Sequence, residues 1–154
     1  MGQDIHFYVE VQDDAGIWRL APHQTQPCPS CRGGRPSPAS DRCGRGCLDG
    51  RTLNSSCYYD LRDYALFALL GGRGLPDARF PVAGRGMPPD ASAELAHGGA
   101  DVVNLHDHTF CTLEELRRYP WASEDFTEFA AALARMGRLH ADPSRIRAVY
   151  WFDN

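Results

Sequence analysis

Four cysteines in one polar stretch carry the most specific chemistry in this chain. Cys28-Pro-Ser-Cys31 and Cys43-Gly-Arg-Gly-Cys47 are two close thiol pairs separated by 11 residues. A tight turn lets each pair present two thiolates to one ion, and two such turns complete a tetrahedral zinc shell. All four positions are then sulfur, which leaves no open coordination site, so the expected zinc is structural, one per chain, and not catalytic. Cys57 and His23 stand in reserve as ligands. Cys111 lies in another context, away from the four, and reads as a packed thiol.

A second group of ionisable residues is spread over both ends of the chain. Asp4-Ile5-His6 opens it, and His106-Asp107-His108-Thr109 comes a hundred residues later. Residues two apart share a face of an extended strand, so His106 and His108 would point the same way if that stretch is extended. Together with His6, and with Asp4 or Asp107, they could hold a second metal of the catalytic kind. Alternatively, two of them could serve as general acid and base. Ordinary surface or core histidines remain the plain alternative. Arginine supplies a further handle: Arg62, Arg73, Arg79 and Arg85 are forked donors suited to phosphate or carboxylate. Gly86 would allow a ligand to approach the backbone beside Arg85.

The elements that must position these groups can be read from periodicity. Ile5, Phe7, Val9 and Val11 alternate with His6, Tyr8 and Glu10, the pattern of a half-buried strand. Asp13 to Gly16 is turn chemistry, after which Ile17 to Leu20 returns as a hairpin partner. Between residues 22 and 56 the composition shifts to Pro, Gly, Ser, Cys and Arg, marking an insertion held by something other than an apolar core. Asp60 is a candidate cap for a helix through Leu61, Tyr64, Ala65, Ala68 and Leu69 that stops at Gly71-Gly72. A Gly- and Pro-rich loop over 73–90 precedes a short helix started by Asp90 or Ser92 and ended near His97-Gly98-Gly99. Thr112 and Glu115 fit a capping box for a helix over Leu113 to Arg118. Ser123 is the candidate cap of the longest helix, with Phe126, Phe129, Ala130, Leu133 and Met136 as its buried stripe. Ile146 to Phe152 is apolar enough for a central strand and is expected beside the first one.

These elements predict a single α+β domain over residues 1–154. Its small, mainly antiparallel sheet would join the N-terminal hairpin to the C-terminal strand, with three to four helices packed on it and the zinc knuckle inserted. The chain has 154 residues, is 43% hydrophobic and carries a formal charge of -4. That charge argues against general duplex binding, which depends on neutralising phosphates. All 16 basic residues are arginine, which is read as codon bias of a GC-rich genome. No apolar run reaches the length of a membrane span, and the start lacks secretory character. Six cysteines in such a chain indicate metal in a reducing cytoplasm more than disulfides.

Several stretches carry a resemblance. Cys28-Pro-Ser-Cys31-Arg-Gly33 and Cys43-Gly-Arg-Gly-Cys47 look like degenerate repeats of the DnaJ-type cysteine-rich knuckle, the second pair having one residue too many. MGQDIHFYVEV, LRDYALFALLGGRG, RGMPPDAS, HDHTFCTLEEL and VYWFDN resemble a family of small, uncharacterised proteins found mainly in bacteriophages and prophages. Carried over position by position, that resemblance marks Asp4, His6, Arg62, Tyr64, Arg85, Gly86, His106, His108, Thr109 and Asp153. The chain departs from the family pattern at Gln3, Asp63, Asp107 and Phe110. The residues, taken with the phage setting of the resemblance, lead to two expected functions. The first is an accessory protein of counter-defence type that binds a host protein or sequesters a small, nucleotide-derived ligand in the host cytoplasm. The second is a hydrolase or related enzyme acting on a phosphate-containing, nucleotide-derived molecule, with His6, His108 and Asp4 as its catalytic groups. In that case Arg62, Tyr64, Arg85, Gly86, His106, Thr109 and Asp153 would form the ligand pocket. The arginines of the cysteine-rich loop (Arg32, Arg35, Arg42, Arg45, Arg51) offer a third contact surface.

Overall fold

A computed structural model describes residues 3–29, 47–72, 80, 84–100 and 104–153. The alternating start forms β1 (Asp4–Gln12), and the turn at Asp13 to Gly16 returns it as β2 (Trp18–Leu20). The described part of the insertion makes a short ribbon from β3 (Thr25–Pro27) and β4 (Arg51–Leu53). There follow α1 (Tyr64–Leu70), α2 (Ala93–Gly98), β5 (Leu105–Thr112), α3 (Leu113–Leu116), α4 (Thr127–Met136) and β6 (Ile146–Asp153). The main sheet has four antiparallel strands in the order β2-β1-β6-β5. The protein is therefore α+β, with its first and last strands paired at the centre as the sequence predicts.

Both faces of this sheet are covered. On one side Ile5, Phe7, Val9, Ile146, Tyr150 and Phe152 pack against Leu66 and Leu70 of α1, Leu113 and Leu116 of α3, and Phe129 and Met136 of α4. On the other, Tyr8, Val149 and Trp151 pack against Leu95 of α2, with Leu53 of the ribbon, Met87 and Ala91 around them. The first strand is thus not half-buried: Tyr8 and Glu10, expected to face solvent, are 3% and 0% exposed. Each large apolar side chain so buried contributes roughly 1.5–3 kcal/mol. The ribbon is fastened to β1 as well. The Gln24 side-chain amide accepts from Val9 N–H and donates to Val9 carbonyl, both at 2.7 Å, standing in for a neighbouring strand where β2 has ended.

Two helix starts differ from the sequence reading. The cap of α1 is Asp63, whose carboxylate accepts from Leu66 N–H at 3.0 Å, and not Asp60, which is exposed upstream. Ser123 lies in a turn, and α4 begins after Phe126 with no side-chain cap. By contrast, the Thr112 and Glu115 capping box forms with both of its bonds. Asp63→Ala should accordingly lose about 1 kcal/mol of unfolding free energy, while Asp60→Ala should stay within about 0.5 kcal/mol of wild type. Urea titration of the two variants checks this, and an equal loss in both would return the cap to Asp60. No helix among the described residues is long and apolar enough to cross a membrane.

Candidate functional site

The histidine run is extended and forms the edge strand β5, but its register is interrupted. His106 pairs with Phe152 and Thr109 with Tyr150, so Asp107 and His108 together stand opposite Trp151. This is a bulge, and its first residue, Asp107, takes φ 54°, a left-handed conformation that Asp tolerates better than most residues. The bulge reverses the alternation. His106 stacks on Phe152 toward the helices, while His108 stacks on Trp151 on the other face. The shared face expected of His106 and His108 does not form.

His6, directly opposite Trp151 on β1, does share a face with His108. The indole stands between them, with ring centroids 6.0 Å from His6 and 5.3 Å from His108, all three planes near parallel. Two strand spacings, roughly 10 Å, thus separate the imidazoles, whereas nitrogens sharing one zinc lie within about 4 Å of each other. The three histidines do not converge on one ion. Among the described residues no group of three or more His, Cys, Asp or Glu is placed to hold a metal.

His6 instead belongs to a polar chain at the end of the central strand pair. Its Nε2 lies 2.7 Å from Asp153 Oδ2, and Asp153 Oδ1 accepts from Asp4 N–H at 3.2 Å. Asp4, cross-strand partner of Asp153, receives the Arg62 fork through Nε and through Nη2, the latter at 2.8 Å. Asp153, placed in the ligand pocket from sequence, is thus the acid that orients the imidazole, and Asp4, expected among the catalytic groups, pairs with Arg62. Hydrogen bonding from Arg62 holds the Asp4 carboxyl below the usual carboxylate range. The group is accessible, since the His6 and Asp153 side chains are 28% and 31% exposed. Next to Arg62, Leu61 and Tyr64 are 48% and 55% exposed.

His108 is set differently. Its Nε2–H donates to the Gly99 carbonyl at 2.9 Å, which leaves Nδ1 as its acceptor. Burial pushes its pKa below the ordinary value, so the ring is neutral at neutral pH. Arg85, Gly86 and Thr109 form a brace along the outer edge of β5. The Arg85 guanidinium forks onto Glu115 at 3.0 and 2.7 Å and donates to the Phe110 carbonyl at 3.2 Å. The Arg85 amide donates to Thr109 Oγ1 at 3.3 Å, and Gly86, at φ 77°, donates its N–H to the His108 carbonyl at 2.8 Å. Such bonding occupies an edge that could otherwise recruit a foreign strand. The two arginines expected to hold a ligand carboxylate or phosphate thus hold the protein's own carboxylates. Arg73 and Arg79 lie outside the described residues.

The expected zinc ligands are placed only in part, because Cys31 and Cys43 lie outside the described residues. Cys28 continues β3, its amide donating to the Gly50 carbonyl at 2.8 Å. Cys47 leads into the tight Leu48 to Arg51 turn, where Asp49 and Gly50 adopt φ of 50° and 78°. The ribbon therefore brings both ends of the cysteine-rich segment to its base. Of the reserve pair, the Cys57 thiol donates to the His23 carbonyl at 2.7 Å, which gives it a partner already. Burial pushes the Cys111 thiol up to about 12, as befits a packed cysteine. Of the loop arginines, Arg51 is described, and it donates to the Thr25 hydroxyl and carbonyl at 2.8 and 2.9 Å.

Two participants were missed from sequence, Trp151 between the histidines and Gly99 as the His108 acceptor. The pairing of first and last strands was the available signal, since it sets His6 opposite Trp151. No protein-family model matches the chain, and no curated protein and no solved structure matches it.

Proposed function

We propose that this chain is a phage-type accessory protein that binds a host protein through the open end of its β1–β6 strand pair, with a structural zinc stapling the insertion. The observation that carries this reading is the exposed Leu61 and Tyr64 on either side of Arg62, beside the Asp4, Asp153 and His6 chain. Tyrosine and arginine are the side chains on which interface energy concentrates. The charge balance favours a protein partner over a phosphate ligand. Two carboxylates face one guanidinium that is already forked, so an anion would have to displace Asp4, whereas a basic or hydrogen-donating surface would not. Zinc suits the all-sulfur donor set, and the ribbon that gathers Cys28 and Cys47 supports it. The phage setting and a counter-defence role rest on the family resemblance.

The hydrolase reading keeps one specific support, the 2.7 Å contact of Asp153 with a partly exposed His6. A carboxylate that orients an imidazole is the arrangement of a general base. Affinity capture from host cells separates the two readings. Tyr64→Ala and Arg62→Glu should each weaken capture of a partner about tenfold or more, while His6→Gln should leave it intact. Unchanged capture by both interface variants, or loss of a phosphate-hydrolysing activity in His6→Gln alone, would transfer the assignment to the enzyme.

A further inference from the structure

The segment between α3 and α4 leaves a groove along the flank of α4. Tyr119 and Trp121, 5% and 3% exposed, form its floor together with Leu133. That floor is held from several sides. The Tyr119 and Trp121 rings lie 4.5 Å apart, and Trp121 meets Phe129 edge-on at 4.7 Å. The Trp121 indole N–H donates to the Leu116 carbonyl at 2.6 Å, so the ring has only apolar surface left to offer. One wall is the turn after Tyr119, closed by Ser123 N–H on the Pro120 carbonyl at 3.1 Å and by Phe126 N–H on the Trp121 carbonyl at 2.8 Å. The other wall is the side of α4 that carries Ala130 and Ala134, one helical turn apart. Both side chains end at Cβ and are too short to fill the gap, which amounts to about 360 Å³ and is open to solvent.

Arg117 stands in the lining of this groove. Its guanidinium rests on Gly137, the residue that ends α4, close to the place a Cβ there would take. Arg62, Arg85 and Arg147 are each taken up by a carboxylate of the chain itself. Among the described residues the Arg117 guanidinium has no such hydrogen-bond or ion-pair partner. From this geometry we infer that the groove binds a small aromatic monoanion, a flat molecule of one or two rings with one carboxylate. Its ring lies over Tyr119, Trp121 and Leu133, and its carboxylate turns to Arg117. The space is at the lower end of the range of small-molecule pockets, about 300–1,000 Å³, which suits a ring system and little more. Aromatic rings on the floor favour offset or edge contacts with another ring. A single guanidinium matches a single carboxylate through two parallel N–H···O bonds, whereas a polyphosphate would bring more charge than one arginine answers. The groove shares no residue with the surface proposed above and stands independently of that reading.

The test is an NMR titration of the full chain with naphthalenecarboxylate and, in parallel, with its neutral carboxamide. The Trp121 indole N–H and the Ala130 and Ala134 methyl groups should move saturably with the carboxylate. The carboxamide should bind about tenfold more weakly, because the charge-assisted bonds are lost. Arg117→Gln should weaken the carboxylate about tenfold and leave the carboxamide as it was, while Arg118→Gln, which lies outside the lining, should change neither. Ala130→Leu should abolish binding of both by filling the space from the helix side. Should that variant not fold, the exposed Ala134→Leu makes the same comparison. An unmoved Trp121 signal, equal affinity for acid and amide, or unchanged binding in Arg117→Gln overturns the inference. So do groove signals that follow protein concentration instead of added ligand, since a second copy of the chain would then occupy the groove.

Discussion

Glu10→Ala is expected to remove about 3–5 kcal/mol of unfolding free energy, the range found when one member of a buried ion pair is deleted. Glu10 is 0% and Arg147 3% exposed, and they meet through Nε and Oε2 at 2.7 Å. The remaining Glu10 oxygen accepts from Ser92 N–H at 2.7 Å, and the guanidinium lies 4.1 Å from the centre of the Trp18 ring. Alanine at position 10 would strand a guanidinium in the sheet and leave the Ser92 amide without its acceptor. Among the described residues Asp90, 2.8 Å from Arg147 Nη1, is the carboxylate that would remain, and its side chain is 62% exposed. Asp90→Ala should therefore cost only about 1 kcal/mol. Replacing both buried partners, as Glu10→Leu with Arg147→Met, should recover most of the loss, because the desolvation penalty disappears along with the attraction. Guanidinium titrations at constant slope decide the matter. If Glu10→Ala proved no worse than Asp90→Ala, the pair would not be the closed unit its burial implies. The consequence reaches the site, since Glu10 and Arg147 anchor the segment around Asp90 and Ser92, a few residues beyond the Gly86 that holds the His108 carbonyl.

What could be read from the sequence was whatever a local period or cap determines. The alternation of Ile5, Phe7 and Val9, the apolar run before Asp153 and the Thr112 to Glu115 box each define their own element without help from distant residues. The strand β5 escaped because His106-Asp107-His108-Thr109 is polar and its period is broken by a left-handed Asp107, so no two-residue repeat survives to be seen. The cover over the Tyr8 face escaped because the ribbon offers one large apolar residue, Leu53, and its effect depends on meeting a glycine forty-five residues away. At α1 two aspartates stood within reach of the helix start, and only the extended backbone of Asp63 settles which one caps it. The site was half legible for the same reason. His6 and Asp4 stood out by type, but which acid orients the imidazole is a matter of cross-strand register, and register appears only when both ends of the chain are paired.

If the proposed zinc is held by the four cysteines, Cys28→Ser should take it from about one ion per chain to none, since three thiolates leave the shell open to water and to exchange. The substitution should nevertheless leave the four-stranded sheet standing. Among the described residues the helical-side core draws its large side chains from β1, β6, the helices and the connecting residues Tyr59, Phe80, Tyr119 and Trp121, and takes none from the β3–β4 ribbon, whose share in the opposite face is Leu53. Elemental analysis paired with far-UV circular dichroism reads the two quantities separately. Cys57→Ser is the internal control and should retain the metal, because that thiol is already committed to the His23 carbonyl. Zinc persisting in Cys28→Ser would move the ion to other ligands, and its loss in Cys57→Ser would place Cys57 in the shell. Unfolding of the whole chain on metal loss would mean that the ribbon supports the sheet through Leu53 and Gln24 far more than one leucine and one amide should.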